Sequence, residues 1–147
     1  MHACTQLCRA LDAAPLPPGG TYTLLLWLPV PQRLHIGALG ECAFPRGYYT
    51  YTGRARRALR ARLHRHLHGA ATRHWHLDYL RPHVRVLAWQ VYAGDTWPEC
   101  LLNRQLACHG RPVVRGFGAS DCACASHLLY YPGRRRPPWR LASGVRP

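Results

Sequence analysis

Along this chain the spacing of apolar positions changes several times, and each change marks an element. Residues 21–28, Thr-Tyr-Thr-Leu-Leu-Leu-Trp-Leu, combine β-branched, aromatic and aliphatic side chains and read as a buried strand. The two-residue repeat of a strand sets Tyr22, Leu24 and Leu26 on one face. A minor strand is expected around 34–36, then a turn at 37–40. Pro45-Arg46-Gly47 then leads into a second strong strand over 48–52, on which Tyr49 and Tyr51 face together.

Gly53 punctuates that strand, and the repeat lengthens. Ala55, Leu59, Leu63 and Leu67 recur at four-residue steps, predicting a helix over 54–67. At about 100° per residue, Arg62 and His66 fall within about 20° of Ala55 and so flank the apolar stripe, while Arg57, Arg60 and His64 lie opposite. Residues 84–92 have strand character. Asp95-Thr96-Trp97-Pro98 offers a capping oxygen and a first-turn proline for a second helix that Glu99 opens. A last short strand is expected over 127–131.

The breaker cluster Pro15-Leu16-Pro17-Pro18-Gly19 makes residues 1–19 a flexible leader, and Pro/Arg-rich residues 132–147 read as a disordered basic tail. The expected organisation is one domain over 20–131, of α/β (α+β) class, with a small, mainly antiparallel central sheet flanked by helices. There is no internal repeat and no sustained heptad.

A chain of 147 residues is large enough for one core without disulfide staples. Its formal charge is +14, from 20 basic against 6 acidic residues, which argues for a polyanionic partner such as nucleic acid. Every basic residue is arginine, a bias that weakens arguments from arginine identity at any one position. No apolar run approaches the roughly 18 residues of a membrane span, and the first residues lack the pattern of a signal peptide, so a cytoplasmic protein is expected. Seven cysteines at irregular spacing suit reduced thiols or metal ligands better than a disulfide framework.

Two short signatures, Gly20-Thr21-Tyr22 and Tyr51-Thr52-Gly53, precede the arginine-rich helix and then Glu99. In this order they resemble a GIY-YIG nuclease, over about residues 20–131. Within that superfamily the likeness is to a branch found alone or fused to base-excision, endonuclease III-like glycosylases. It is carried by Gly47-Tyr48-Tyr49, by His74-Trp75-His76-Leu77-Asp78-Tyr79-Leu80, by Glu99-Cys100 and by the run from Gly116 to Cys122. The resemblance implies that Glu99 holds one divalent cation, Mg2+ or Mn2+, that Arg62 contacts the phosphate, and that Tyr22 and Tyr51 position or deprotonate the attacking water. It also implies phosphate contact by Arg54 and a glycosylase as partner.

Six carboxylates, Asp12, Glu41, Asp78, Asp95, Glu99 and Asp121, are too few for two converging cations, which supports a one-metal site independently. A tyrosine with its ordinary pKa near 10 is a weak base, but neighbouring guanidinium groups and a cation would favour its phenolate.

Arg54, Arg56, Arg57, Arg60 and Arg65 form a basic patch suited to phosphates. Arg54, Arg57, Arg60, His66 and His76 are accordingly the expected substrate contacts. His74, His76 and Asp78 form a further cluster. In an extended segment its two histidines share a side, and a solvated loop is the alternative.

Asp121, Cys122, Cys124 and His127 raise structural zinc against plain reduced thiols, since C-x-C-x2-H is not a paired knuckle. Many relatives carry an asparagine well downstream of the glutamate. Here Asn103 is the only asparagine and lies too close to Glu99, leaving Asp121 or His127 as substitutes. The function expected is a metal-dependent DNA endonuclease of repair or of damaged or branched DNA. A non-catalytic nucleic-acid-binding module and an RNA-directed nuclease are the alternatives.

Overall fold

The computed structural model describes residues 2–95, 97–133, 136–137 and 143–146. At its centre are two long strands, β1 (Gly20–Leu28) and β4 (Gly47–Ala55), paired antiparallel in continuous register from Gly20 opposite Ala55 to Leu28 opposite Gly47. On the other side of β1 lies β5 (Arg85–Tyr92), also antiparallel, with a register shift between Leu25 and Leu26. Outside β4 come β7 (Leu128–Tyr131) and then the two-residue β6 (Arg111–Pro112). Outside β5, β8 (Gly144–Arg146) pairs parallel. The result is a six-stranded, mostly antiparallel sheet in an α+β domain. A separate hairpin of β2 (Gln32–His35) and β3 (Glu41–Phe44) replaces the single minor strand expected.

Side-chain alternation divides the sheet into two faces. Tyr22, Leu24, Leu26, Tyr49 and Tyr51 join the main core with α1 (His2–Ala13), α2 (Leu59–His68) and α3 (His76–Leu80). The opposite face is covered by α4 (Glu99–Leu106), whose Leu102 and Leu106 pack with Leu129 and Tyr131. Threonines buried on this second face pair with one another or with tyrosine: Thr23 meets Thr52 at 3.4 Å, and Thr50 meets the Tyr131 hydroxyl at 2.9 Å. The hydroxyls of Thr23, Thr50 and Thr52 thus each have a hydrogen-bond partner within the protein.

Four expectations need correction. First, most of the leader is a docked helix. Cys4, Leu7, Cys8 and Leu11 recur at helical spacing along α1, Leu11 is fully buried, and the Trp89 indole donates to the Leu7 carbonyl at 3.2 Å. The prolines end this helix; they do not prevent it.

Second, the helix expected over 54–67 begins only at Leu59. Gly53 does not break β4, because Arg54 and Ala55 continue the ladder opposite Thr21 and Gly20. Ala58, left-handed at φ 56°, then turns the chain into α2.

Third, His74 and His76 do not share an extended segment. Residues 76–80 form α3, with the Asp78 carboxylate accepting from the Trp75 and His74 N–H groups, each at 2.8 Å.

Fourth, the expected tail contributes β8, and the Ser143 hydroxyl accepts from the Trp89 N–H at 3.3 Å. Met1, Thr96, Arg134, Arg135, residues 138–142 and Pro147, on which parts of the leader, cap and tail readings fall, lie outside the described residues.

Because Leu11 anchors α1 in the main core, Leu11→Ala should cost about 2–5 kcal/mol in denaturant unfolding. A leader that merely hangs from the domain would leave the unfolding midpoint where it was.

Candidate functional site

The strand register builds the site's floor. Tyr22 lies directly opposite Gly53, and a β-carbon on residue 53 would sit 2.4 Å from the Tyr22 hydroxyl oxygen, so only glycine leaves room for the phenol. Tyr51 is the diagonal neighbour, its ring centroid 6.4 Å from that of Tyr22. From α2, His66 closes the group, with Nε2 2.8 Å from the Tyr22 hydroxyl. Gly118, left-handed at φ +67°, lays the loop before β7 against Tyr51, where a β-carbon would stand 2.9 Å from the ring.

Above this floor opens a cleft of about 540 Å³. Tyr22, Tyr51, Gly53, Arg54, Arg56, Arg57, Arg62, His74, Trp75, His76, Glu99, Gly118, Ser120 and Asp121 line it. Arg62 is held by its Nη1 donating to the Arg54 carbonyl at 2.6 Å, and its guanidinium lies 4.2 Å from the Trp75 ring centroid. Trp75, within the quoted motif but given no role in the sequence reading, is therefore what aims the arginine. Arg54 makes only a surface pair with Asp95 at 3.5 Å, of small energetic weight. His76 accepts from the Gly118 N–H through Nδ1 at 2.9 Å, and burial lowers its pKa below the ordinary value. The imidazole is thus neutral and fixes the loop at the cleft wall.

Some of the expected contacts lie elsewhere. Arg60 faces away from the cleft and donates to the Leu11, Asp12 and Ala14 carbonyls at the end of α1. His66 is 1% exposed and stands behind Tyr22, so it supports the phenol and does not meet a substrate. Asp78 is consumed by the α3 N-terminus and by Arg65, whose Nη2 approaches it at 2.8 Å. Burial opposes its charge, but Arg65 and the two N–H donors more than offset this and hold its pKa below the usual carboxylate range. His74 reaches the cleft from an exposed position.

Behind Glu99 lies a second group of ligand-type side chains. The Cys100, Cys122 and Cys124 sulfurs and a His127 nitrogen all lie within 4.8 Å of one another. His127 Nδ1 donates to Glu99 Oε1 at 2.7 Å, and Nε2 lies 3.4 Å from Cys122 Sγ and 3.8 Å from Cys100 Sγ. Asn103 does not reach the cleft; it donates to the Ser126 carbonyl at 2.7 Å and pins this loop to α4. Cys100 is absent from the expected ligand set because it is distant in sequence. Its adjacency to Glu99 at the start of a helix was the available signal.

A family model described as a domain of unknown function, DUF123, matches residues 21–145. The chain belongs to the DUF123 family. No curated protein and no solved structure matches it. Both the cleft and the thiol group of this DUF123 domain fall within the matched span.

Burial raises the pKa of Tyr22 well above its ordinary value and outweighs the opposing pull of Arg62, and burial likewise raises Tyr51. Among these arginines and at this burial, both phenols carry their protons at neutral pH. Burial also lowers the pKa of His66 to about 4. His66 Nδ1 has no hydrogen-bond partner among the described residues, while Nε2 shares a 2.8 Å hydrogen bond with the Tyr22 hydroxyl.

Between the unfolded pKa of roughly 6.5 and the folded value of about 4, the unfolded chain binds a proton that the folded chain refuses. Stability from this residue is complete above the window and is lost as pH falls through it. The loss should reach on the order of 3 kcal/mol by about pH 4. Denaturant midpoints measured from neutral pH downward should show this slope in the wild type and a clearly shallower one in His66→Gln. Equal slopes would refute the assignment.

Proposed function

We propose that this DUF123 domain is a GIY-YIG-type, metal-dependent endonuclease that hydrolyses phosphodiester bonds in DNA, in repair or in processing of damaged or branched strands. One observation carries the reading. Tyr22 from β1, Tyr51 from β4, Arg62 from α2 and Glu99 from α4, far apart in sequence, line the same cleft together with Arg54, Arg56 and Arg57. A cleft walled by guanidinium groups and floored by two phenols suits a phosphodiester: the arginines offset charge on the phosphoryl oxygens, and the hydroxyls order a water.

The 2.8 Å hydrogen bond between the Tyr22 hydroxyl and His66 Nε2 fixes the phenol at the cleft floor, where its oxygen can help to orient the attacking water. Arg62, stacked on Trp75, presents a fixed fork to the phosphate. The cleft carboxylates, Glu99 and Asp121, fit one hard divalent cation such as Mg2+ or Mn2+, which is held by one or two carboxylates with water and substrate phosphate. Bound there, the ion would supply Lewis-acid stabilisation of the charge that grows on the phosphate. A base-excision glycosylase that hands on damaged DNA is the partner this reading implies.

The test is cleavage of labelled duplex, flap, branched, abasic and single-stranded DNA, beside RNA counterparts, with and without Mg2+ or Mn2+. Glu99→Gln is the informative variant, because it removes the charge yet keeps an acceptor for His127. It should lower metal-dependent cutting at least about 100-fold while binding stays within about twofold.

Arg57→Gln should weaken binding and reduce the salt slope by about one, whereas Arg60→Gln should leave binding unchanged and lower stability. Binding without cutting across the panel would instead support a non-catalytic nucleic-acid module, a reading favoured by the engagement of Glu99 with His127. Cutting confined to RNA would redirect the substrate.

A further inference from the structure

The thiol group behind the cleft is a site in its own right, and its geometry stands whatever the cleft does. We propose that Cys100, Cys122, Cys124 and His127 form a closed, four-ligand site for a borderline-soft divalent transition ion, zinc in the first place, with Glu99 as the carboxylate that orients its histidine.

Distances support this. In a tetrahedral zinc site with Zn–S of about 2.3 Å and Zn–N of about 2.0–2.1 Å, sulfur and nitrogen ligands stand about 3.6 Å apart. Nε2 of His127 lies 3.4 Å and 3.8 Å from two of the sulfurs, values on either side of that edge. All four ligand atoms fall within 4.8 Å of one another, so a single ion can reach them with small adjustments.

The histidine is already set for the task. A carboxylate can only accept, so the 2.7 Å contact with Glu99 fixes the proton on Nδ1 and leaves the Nε2 lone pair aimed among the sulfurs. This is the arrangement by which metal-bound imidazoles are held in tautomer and orientation. Three thiols with one imidazole select zinc or its soft neighbours over the hard ions that suit the cleft carboxylates. Four protein ligands leave no open position, so the ion is a structural one.

The surrounding fold gives such an ion work to do. Cys100 lies in the first turn of α4, while the other three ligands lie on the irregular stretch 113–127 between β6 and β7. Backbone contacts of Gly116 with Ala125 and of His127 with Phe117 close that stretch into a loop, and the ion would tie it to the helix. The same loop supplies Gly118 and Asp121 to the cleft, and the His127 contact holds Glu99. Loading the ion therefore fixes the acidic wall of the cleft.

A second trio, Cys4, Cys8 and His68, offers only three ligands and serves as the control.

The experiment is metal analysis of the full chain purified without chelator, with cobalt substitution of the same protein. About one equivalent of zinc should be retained, and cobalt should give thiolate charge-transfer bands with the intense visible spectrum of a tetrahedral site. Cys124→Ser should lose the metal, and Cys8→Ser should keep it. Glu99→Ala should release zinc to a chromogenic chelator with affinity lowered about 10–100-fold, while Glu99→Gln loses less.

Should Cys124→Ser not fold, the cobalt spectrum of the wild type decides. An octahedral spectrum, no zinc even after reconstitution, metal lost from Cys8→Ser but kept by Cys124→Ser, or a disulfide among Cys100, Cys122 and Cys124 in alkylated protein would each overturn the proposal.

Discussion

The molecule depends on the pairing of β1 with β4, and that pairing has no slack at one place: the Tyr22 hydroxyl occupies the space where a side chain on residue 53 would begin. A slip of one residue would bring a β-carbon onto the phenol and turn the tyrosines of both strands to the wrong face. Because the register is fixed, Tyr22 and Tyr51 come diagonally together, His66 has one phenol to lean on, and Arg54 leaves the strand at the cleft rim. The site is a property of the sheet's centre, with loops and helices brought up to it.

Arginine is used here in two ways that a charge count merges. Arg60 ties down the end of α1, Arg65 meets Asp78, and Arg81 donates to the His66, Leu67 and Val84 carbonyls. These guanidinium groups hold helix ends and a turn in place by satisfying backbone oxygens or a carboxylate. Arg54, Arg56, Arg57 and Arg62 face the cleft instead. With no lysine in the chain, identity alone could not separate the two groups; their position relative to the cleft does.

Much of this was legible before folding. The alternation of Tyr22, Leu24 and Leu26, the stripe of Leu59, Leu63 and Leu67, and Glu99 at the head of its helix all match the observed elements. What escaped reading shares one cause. Local signals such as Gly53 or the prolines at 15–18 speak for their own neighbourhood, while ladder pairing with Gly20 and core docking by Leu11 override them from a distance. Cys100 and Arg60 escaped for the same reason, since their partners lie on other elements.

The outermost strand beside β7 is only Arg111 and Pro112. Proline has no N–H to give, and an arginine beside it keeps a charge on that rim. A strand from another molecule arriving there would find a ladder lacking a donor and a guanidinium it would have to strip of water. The sheet is thus blunted at this edge against pairing with a further strand.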